Sequence, residues 1–481
     1  MTARPFADDV TGTGAAAGRE ALDVTSPYSG EVVGTVEQWG ADEVLATVER
    51  QAAMAADRDR WLPAPQRIEV LRATAALVSA QRDDLARLIA SEGGKPLTDA
   101  LVEVDRAANG LELCAEEIAH AHGEEVPMGA TPASAGRLAF TTREPIGAVV
   151  AVSAFNHPLN LIAHQTGPAI AAGCPVLLKP ASSTPLSAVR LGELYREAGL
   201  PGDWCVVAPC RGSVAEQAVT NDRIGFFSFI GSARVGWGLR AKLAPGVRAA
   251  LEHGGVAPLL VDASADLDKA VPAILKGGYY HAGQVCVSVQ RVFADAAVAD
   301  ELVDRLAEGV SELVTGDPLD AATQVGPLIE QGEVDRVHEW VQEAIDGGAE
   351  VAEGGHPLEH QCYAPTLLVD PPADSRVLTD EVFGPLVSVV RTDGLDDSVT
   401  RANSLPWAFQ AAVLAQDLDA AFRAAKRLNA TAVMLNDHTA FRVDWMPFAG
   451  RGPSGLGVGG MGHTVHEMTR PKMIVVNAGG A

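Results

Sequence analysis

The chain has 481 residues, of which 47% are hydrophobic and 21% are charged. This length predicts two or three domains, and the composition is typical of folded rather than disordered proteins. The 62 acidic residues outnumber the 37 basic ones and give a formal charge of −25, which disfavours binding to nucleic acid and to anionic lipid.

The sequence also predicts where the protein resides. No apolar run reaches the ~18 residues that a membrane-spanning helix needs, and residues 1–20 lack the apolar core of a signal peptide. The six cysteines follow neither a disulfide framework nor a zinc-ligand spacing. We therefore expect a cytoplasmic protein with reduced thiols and with no metal, nucleic-acid or membrane partner.

The first part of the chain is predicted to be mostly helical. Apolar periodicity and a helix stop at residues 93–96 predict helices over 44–56, 65–79, 82–92 and 100–120. Residues 121–145 are rich in Gly, Pro and Thr and carry alternating apolar positions, which predicts a short excursion in extended structure.

From residue 146 onward, short apolar strands alternate with helices. Strands are predicted at 147–153, 175–178, 204–208 and 225–230, and helices at 161–172, 184–198, 213–220 and 232–243. A second region starts near residue 254, with strands at 259–261 and 289–294, helices at 266–280 and 299–314, and a closing strand at 472–476. This alternation predicts an α/β protein with two doubly wound parallel sheets, which bind ligands at the carboxyl ends of their strands.

Two glycine patterns compete as a phosphate-binding turn. Residues 457–462 match G-x-G-x-x-G, but they neither follow a predicted strand nor open a predicted helix, so a flexible loop is the better interpretation. The segment Phe229-Ile230-Gly231-Ser232, followed by Gly236, is the better candidate. There a strand ends, Gly231 permits a tight turn, and Ser232 lies at a helix N-terminus, where free N–H groups favour phosphate.

Three residues have side chains suited to covalent catalysis, and each also has an ordinary structural explanation. Cys286 lies in a Gly-containing segment after a helix, and an inert core thiol is its alternative. Glu252 ends an apolar run, where a carboxylate needs either a hydrogen-bond partner or a function. Asn156 follows the first strand of the parallel sheet, and turn formation is its alternative. Taken singly, these residues leave both interpretations open.

Several motifs occur together, in one order, over nearly the whole chain. They are Pro145-x-Gly147, Phe155-Asn156, Lys179-Pro180, Gly231-Ser232-x-x-x-Gly236, Glu252-x-Gly254-Gly255, Gly283-Gln284-x-Cys286, Glu381-x-Phe383-Gly384-Pro385 and Pro447-Phe448-x-Gly450. In this combination the sequence resembles the aldehyde dehydrogenase superfamily, whose members oxidise aldehydes with NAD or NADP.

The resemblance implies roles for individual residues. Cys286 would be the nucleophile, Asn156 an oxyanion donor beside the Cys286 backbone N–H, and Glu252 the base that activates water. Lys179 would bond the adenosine ribose, Ser232 the pyrophosphate and Glu381 the nicotinamide ribose. The full set of implied cofactor-binding residues is Ser153, Phe155, Lys179, Ser182, Gly231, Ser232, Gly254, Glu381 and Phe383.

The resemblance also implies a division into three parts. Residues 1–120 and 142–253 would form the cofactor domain, and residues 254–460 the catalytic domain. Residues 121–141 and 461–481 would form a small β arm for oligomerisation. A homodimer or homotetramer is therefore expected.

The sequence departs from the family pattern at the cofactor site. NAD-selective members commonly have a Glu where this chain has Ser182, and a Ser does not repel a 2′-phosphate, so NADP is permitted. Arg211 either adds a cation in this neighbourhood or lies in a surface loop. The stretch 454–459 lacks the Glu that many relatives have there, which leaves Glu252 as the single base. His253 replaces a common Leu, and nothing in the sequence explains that change.

The substrate pocket is the second departure. Relatives that oxidise apolar aldehydes have aromatic residues at three positions where this chain has His157, His164 and Arg442; the last of these precedes the final Pro-Phe448. Polar and cationic groups suit a carboxylate, sulfonate, phosphonate or phosphate. We therefore expect a short polar or anionic aldehyde. The alternative is that both histidines are structural and Arg442 pairs with Asp437 or Asp444.

Two rival functions remain open from the sequence. A CoA-acylating dehydrogenase would release the thioester to CoA, although Glu252 favours release to water. A catalytically inactive binding protein on the same scaffold would not need Cys286, Glu252, Asn156 and Lys179 together.

Overall fold

The computed structural model describes residues 19–479. The prediction that the N-terminal segment carries no signal core concerns mainly residues 1–18, which lie outside the described residues. Within residues 19–479, no helix is both long enough and apolar enough to cross a membrane.

Fifteen α-helices are found in the described part of the chain. In chain order, α1 to α15 are Ala41–Ala56, Ala64–Ala80, Arg82–Gly93, Leu97–His120, Asn160–Ala172, Leu186–Glu197, Gly212–Val219, Ala233–Arg240, Leu267–Tyr279, Ala296–Ser311, Gln331–Asp346, Arg376–Thr379, Leu395–Ala402, Leu418–Arg427 and Met461–Glu467.

Eighteen β-strands accompany these helices in residues 19–479. In chain order, β1 to β18 are Glu20–Thr25, Val32–Gln38, Glu125–Val126, Arg137–Pro145, Ala148–Val152, Val176–Lys179, Cys205–Val207, Ile224–Ile230, Arg248–Glu252, Pro258–Val261, Arg291–Asp295, Glu350–Glu353, Thr366–Val369, Leu386–Thr392, Gln410–Leu414, Ala432–Leu435, Gly455–Leu456 and Thr469–Asn477.

The first large sheet has six strands in the order β17-β9-β8-β5-β6-β7, all parallel except β17. Its central strands are continuous apolar runs because both faces are covered. On β5, Val149 and Ala151 pack into the core on one face, whereas Val150 packs into the core on the other. This doubly covered parallel sheet confirms the predicted architecture.

The second large sheet has seven strands in the order β12-β13-β14-β11-β10-β15-β16, and β12 is antiparallel to β13. The other strands pair in parallel, and helices cover the sheet around a large apolar core. The fold is therefore α/β with two parallel-sheet units, as predicted. The domain boundaries stay predictions, and we note that Gly455–Leu456 pairs back with β9 of the first sheet.

A separate three-stranded sheet has the order β18-β4-β3. It contains the segment predicted as an extended excursion and the predicted closing strand, which pairs with β4 along its whole length. Its apolar side chains are unusually exposed: Leu138, Met473, Ile474, Val475 and Val476. The expectation of a homodimer or homotetramer stays a prediction.

The structure corrects two local expectations. The antiparallel pair of β1 and β2 was not predicted, and its register shifts between Val24 and Thr25, where β2 has one extra residue. The prediction that residues 457–462 neither follow a strand nor open a helix is wrong. The short strand β17 precedes them, held by its pairing with β9, and α15 begins at Met461.

Candidate active site

A cleft of about 450 Å³ lies between the two large sheets. It collects nearly all the residues that the sequence singled out, although these are spread over some 300 positions. The predicted residues that line it are Ser153, Phe155, Asn156, His157, Lys179, Ser182, Gly231, Ser232, Glu252, Gly254, Cys286, Glu381, Phe383, Arg442 and Phe448. His164 does not line the cleft.

The first sheet supplies one wall of the cleft through the carboxyl ends of its strands. Ser153 follows β5, Lys179 ends β6, Gly231 follows β8 and Glu252 ends β9. In a parallel sheet these ends meet along one edge, which is where such folds bind ligands. Strand topology alone therefore brings these four residues together.

The turn after β8 has the form expected of a phosphate-binding turn. Gly231 has a φ of +154°, a conformation that favours glycine, and Ser232 is the N-cap residue of α8. The free N–H groups at the start of α8 face a cleft that Ser232 lines. This geometry suits an anionic pyrophosphate.

The turn also explains His253. The His253 Nδ1 donates a hydrogen bond to the Gly231 carbonyl at 2.7 Å, and the ring packs between Phe229 and Trp237. A Cβ on Gly236 would lie 2.1 Å from His253 Cε1. Gly236 therefore leaves the space that the imidazole of His253 occupies, and the imidazole stabilises the turn through its hydrogen bond to the Gly231 carbonyl.

The cleft also contains polar atoms that need a ligand. Ser153 Oγ and Glu381 Oε1 are buried and have no hydrogen-bond partner among residues 19–479, a condition that is costly unless a ligand supplies the partner. Burial raises the pKa of Glu381 to about 8. A Cβ on Gly254 would lie 1.6 Å from Glu381 Oε1, so this glycine makes room for the carboxylate. These features fit the hydroxyl-rich ribose of a dinucleotide.

The part of the cleft lined by Lys179 and Ser182 is distinct from the two carboxylates in the lining, Glu252 and Glu381. Lys179 Nζ lies 3.4 Å from Ser182 Oγ. Arg211 does not line the cleft; it forms an exposed ion pair with Glu20 at 2.8 Å. The surface-loop interpretation of Arg211 therefore holds, and Lys179 is the cation on this side.

Cys286 lies on a sharply bent segment after α9. His281, Ala282 and Gly283 all have positive φ, and a Cβ on Gly283 would lie 2.0 Å from the Gly384 carbonyl oxygen. Asn156 Nδ2 donates a hydrogen bond to the Gln284 carbonyl at 2.8 Å and so ties the segment to the first sheet. An amide has two N–H donors, so Asn156 keeps one for a ligand.

Neighbouring groups shift the pKa of the Cys286 thiol in opposite directions. Burial and the carboxylate of Glu252 raise the pKa of the Cys286 thiol well above its usual value, whereas the guanidinium of Arg442 lowers it. The thiol packs with apolar neighbours that include Val285, Val287 and Phe448. The thiol thus lies in a largely apolar wall, where burial disfavours the charged thiolate.

Arg442 is the cation nearest to this chemistry. Its guanidinium carbon lies 3.5 Å from the centre of the Phe448 ring, and its side chain is only 9% exposed. Arg442 Nη1 is 4.0 Å from Glu252 Oε1, too far for a hydrogen bond. Arg442 Nε has no hydrogen-bond partner among the described residues.

Asp444 does not neutralise Arg442, because it is engaged elsewhere. It accepts two hydrogen bonds from Arg106, at 2.7 and 3.1 Å, and one from His164 Nε2 at 2.7 Å. The other nitrogen of His164 accepts a hydrogen bond from Arg442 Nη2 at 3.4 Å. Burial lowers the pKa of His164 to about 4, so the ring is neutral and supports Arg442 from behind.

Sequence reasoning missed two residues of the cleft. Arg106 lies on α4, and no local pattern marks it, because its partner Asp444 is 338 positions away. Tyr280 lies six residues before Cys286, at the end of the helix predicted over residues 266–280. The Tyr280 hydroxyl lies 3.2 Å from His157 Nε2, and burial lowers the pKa of His157.

Comparisons with known proteins identify the family of the chain. The model of the aldehyde dehydrogenase family matches residues 14–474. The 3-sulfolactaldehyde dehydrogenase of Priestia megaterium is 37% identical over 460 residues, which cover 95% of each chain. The succinate-semialdehyde dehydrogenase [NADP(+)] GabD of Escherichia coli (strain K12) is 36% identical over 95% of this chain and 94% of its own.

A solved structure with a similar fold is glyceraldehyde-3-phosphate dehydrogenase GapN from Methanocaldococcus jannaschii complexed with NADP. It has a TM-score of 0.90 and 33% identity, and the match covers 96% of this chain and 100% of that one. The chain belongs to the aldehyde dehydrogenase family, and it is an oxidoreductase that uses NAD or NADP to oxidise an aldehyde.

Proposed function

We propose that the substrate is a short aldehyde with an anionic tail, oxidised to its carboxylic acid through a covalent bond to Cys286. The observation that carries this proposal is the buried guanidinium of Arg442. It borders the cleft with no carboxylate at hydrogen-bond distance among residues 19–479. A buried cation without a close partner is costly, and a bound anion would relieve that cost.

The chemical class of the tail follows from the same groups. A guanidinium matches carboxylate, sulfonate, phosphonate or phosphate through paired N–H donors. Arg106 lines the cleft as a second cation, although Asp444 already balances it. The tail is short because Arg442 lies on the Phe448 ring, and that ring packs in the same cluster as Cys286.

The relatives support this class without defining the substrate. One is named for a sulfonated aldehyde and another for a semialdehyde. Both names describe substrates with an anionic group a few bonds from the aldehyde carbon. A phosphonate or phosphate tail satisfies the same geometry.

In the proposed reaction, Cys286 Sγ transfers its proton to the carboxylate of Glu252, which passes it on to solvent, and the thiolate then attacks the aldehyde carbon. The positive charge of Arg442 assists this ionisation. The new oxyanion accepts hydrogen bonds from the free Asn156 N–H and from the Cys286 backbone N–H. NAD or NADP, when bound, would supply the hydride acceptor for this oxidation, and Cys286 would then hold the acyl group as a thioester.

Glu252 would complete the cycle. It takes a proton from water, the resulting hydroxide adds to the thioester carbon, and the carbon–sulfur bond breaks to release the acid and the Cys286 thiolate. Burial raises the pKa of Glu252 above its ordinary value, whereas Arg442 and Arg106 lower it. A carboxylate with a raised pKa is a stronger base than a solvated one.

The residues that would hold the cofactor come from both sides of the cleft. Ser232 and the start of α8 would bind the pyrophosphate, Lys179 the adenosine ribose, and Glu381 the nicotinamide ribose, with Phe383 packed edge-on against Phe155 at 5.8 Å. The absence of a carboxylate at Ser182 permits a 2′-phosphate, so both NAD and NADP are accepted.

The test is an aldehyde panel assayed with each cofactor. We expect kcat/KM for succinic semialdehyde and phosphonoacetaldehyde to exceed that for propanal and hexanal by roughly 10- to 100-fold, which is the contribution of a charge-assisted hydrogen-bonded pair. A preference for hexanal would refute the anionic substrate.

A further inference from the structure

We infer that Arg442 serves two anions in turn: Glu252 in the free enzyme and the anionic tail of the substrate in the complex. Arrival of the tail thereby releases Glu252 to work as the base. This inference rests on the proposed function, because it requires an anion to bind beside Arg442. Its consequence is that the tail promotes hydrolysis of the thioester as well as binding.

The first support is the position of the Arg442 guanidinium, between Glu252 and the cleft space that the substrate tail would occupy. One face of Arg442 lies on Phe448, one end reaches His164, and Nη1 lies 4.0 Å from Glu252 Oε1. This separation allows electrostatic attraction without a hydrogen bond. Arg442 is therefore supported by neutral groups, and Glu252 is its nearest anion in the described structure.

The second support is that other charged groups near Glu252 are already balanced or distant. Arg106 is paired with Asp444 at 2.7 Å. The neighbouring strands β8 and β17 contain no ionisable residue, and the two arginines of α8, Arg234 and Arg240, are exposed. The remaining ionisable groups that line the cleft are Cys286, His157, His253, Glu381, Lys179 and Tyr280, and His164 lies behind Arg442. Of the described cations, only Arg442 and Arg106 lower the pKa of Glu252. Arg442 is the one cation near Glu252 that a ligand can neutralise without displacing another carboxylate.

The expected effect on Glu252 has a definite sign. Arg442 lowers the pKa of Glu252, against the effect of burial. An anion that neutralises Arg442 removes this lowering, so the pKa of Glu252 rises and its basicity increases. A full cation about 4 Å away changes a pKa by about one unit or more, depending on the local dielectric.

The step can be measured without cofactor. p-Nitrophenyl acetate acylates Cys286 and releases p-nitrophenol, and hydrolysis of the acetyl group then depends on Glu252 and water. The acetyl group has no charged tail, so methanesulfonate can occupy the position of the missing tail. The hydrolysis rate of the acetyl-enzyme, followed over pH 5–9 with and without methanesulfonate, reports the state of Glu252.

For the wild type, methanesulfonate should accelerate hydrolysis several-fold at pH 8. It should also move the acid limb of the pH profile upward by about one unit. Arg442→Met should show neither response and should have an acid limb already at the higher pH. Arg442→Lys, which keeps the charge, should retain a reduced response. Arg305→Met, on an exposed face of α10, is the matched control and should behave as wild type.

Two outcomes would overturn the inference: a wild-type rate at pH 8 that methanesulfonate leaves unchanged or lowers, or an Arg442→Met enzyme that still responds. Competition by methanesulfonate against succinic semialdehyde separates the two proposals. If methanesulfonate competes but the hydrolysis rate does not respond, the coupling through Arg442 is wrong and the anionic substrate stands. If it does not compete, both proposals fail.

Discussion

At the scale of residues, the site depends on how buried charges are balanced. Asp444 is engaged by Arg106 and His164, which leaves Arg442 with a distant carboxylate and an aromatic ring. From the sequence, an ion pair of Arg442 with Asp437 or Asp444 was the alternative to anion binding. Neither pair is present, because Arg106 takes the place at Asp444.

Replacing Arg442 should therefore change substrate preference more than it changes the chemistry of neutral aldehydes. Arg442→Met is expected to lower kcat/KM for succinic semialdehyde about 10- to 100-fold, since a charge-assisted hydrogen bond is lost. The value for propanal should fall less, because propanal loses only the help that Arg442 gives to the ionisation of Cys286. An equal loss for both aldehydes would show that Arg442 does not recognise the anionic tail.

We expect the Glu381 carboxyl group to release a proton when the cofactor binds. Burial raises its pKa to about 8, so at pH 7 the free enzyme carries a protonated carboxyl group there. Ribose hydroxyls that donate to it favour the ionised form and lower its pKa, so binding releases a proton. The release is expected between about pH 5 and pH 8.

Calorimetric titration with NADP at pH 7, in two buffers of different ionisation enthalpy, measures this release. The wild type and Glu359→Gln, an exposed control, should show the same difference between buffers. Glu381→Gln should show little of it. Net proton uptake in the wild type would contradict the assigned position of Glu381.

At the scale of elements, the turn from β8 to α8 is held by a contact between two motifs. Gly231, Ser232 and Gly236 belong to one motif, and His253, which bonds the Gly231 carbonyl, belongs to another. The histidine looked like an unexplained change in the sequence because its partner is a backbone carbonyl 22 positions away. Only the parallel pairing of β8 and β9 brings the two together.

Gly236→Ala should weaken cofactor binding, because the added methyl group would overlap His253 and displace the turn. We expect the dissociation constant for NADP to rise about 10-fold and the unfolding free energy to fall by roughly 1–3 kcal/mol, as in other overpacked sites. Gly238→Ala on the same helix is the matched control, since nothing lies within 4 Å of its Cβ position.

The double variant Gly236→Ala/His253→Ala tests the cause. Removing the imidazole opens the space that the methyl group needs, so part of the lost affinity for NADP should return. If the two residues act independently, the double variant should instead bind NADP more weakly than Gly236→Ala, by the full effect of His253→Ala alone.

The same scale shows which parts of the fold local patterns can predict. The strands β5, β6 and β8 were predicted within one or two residues, because continuous apolar runs with short loops are typical of buried parallel strands. The pair β1 and β2 was missed, as was β9, whose apolar segment was treated only as a site for Glu252. Edge pairing with β17 depends on a segment 200 positions later.

At the scale of the whole molecule, the cleft arises because the loops that carry the site residues lie between the two parallel-sheet units. The motif residues after β5, β6 and β8 could be placed from their order along the chain, since each follows a predicted strand. Glu252, Glu381 and Arg442 follow no predicted strand, and only the family resemblance placed them at the site. Arg106 could not, because its place in the cleft depends on how α4 packs against the segment of Asp444. His164 was predicted to contact substrate and instead lies behind Arg442.

The central claim is that oxidation proceeds through an acyl group on Cys286 that Glu252 helps to hydrolyse. Its most direct test is mass spectrometry of Glu252→Gln quenched during turnover of succinic semialdehyde with NADP, beside the wild type. We predict that, in the Glu252→Gln enzyme, the peptide that contains Cys286 gains the mass of the acyl group in near-stoichiometric amount. A burst of reduced cofactor accompanied by an unmodified Cys286 peptide would contradict the account.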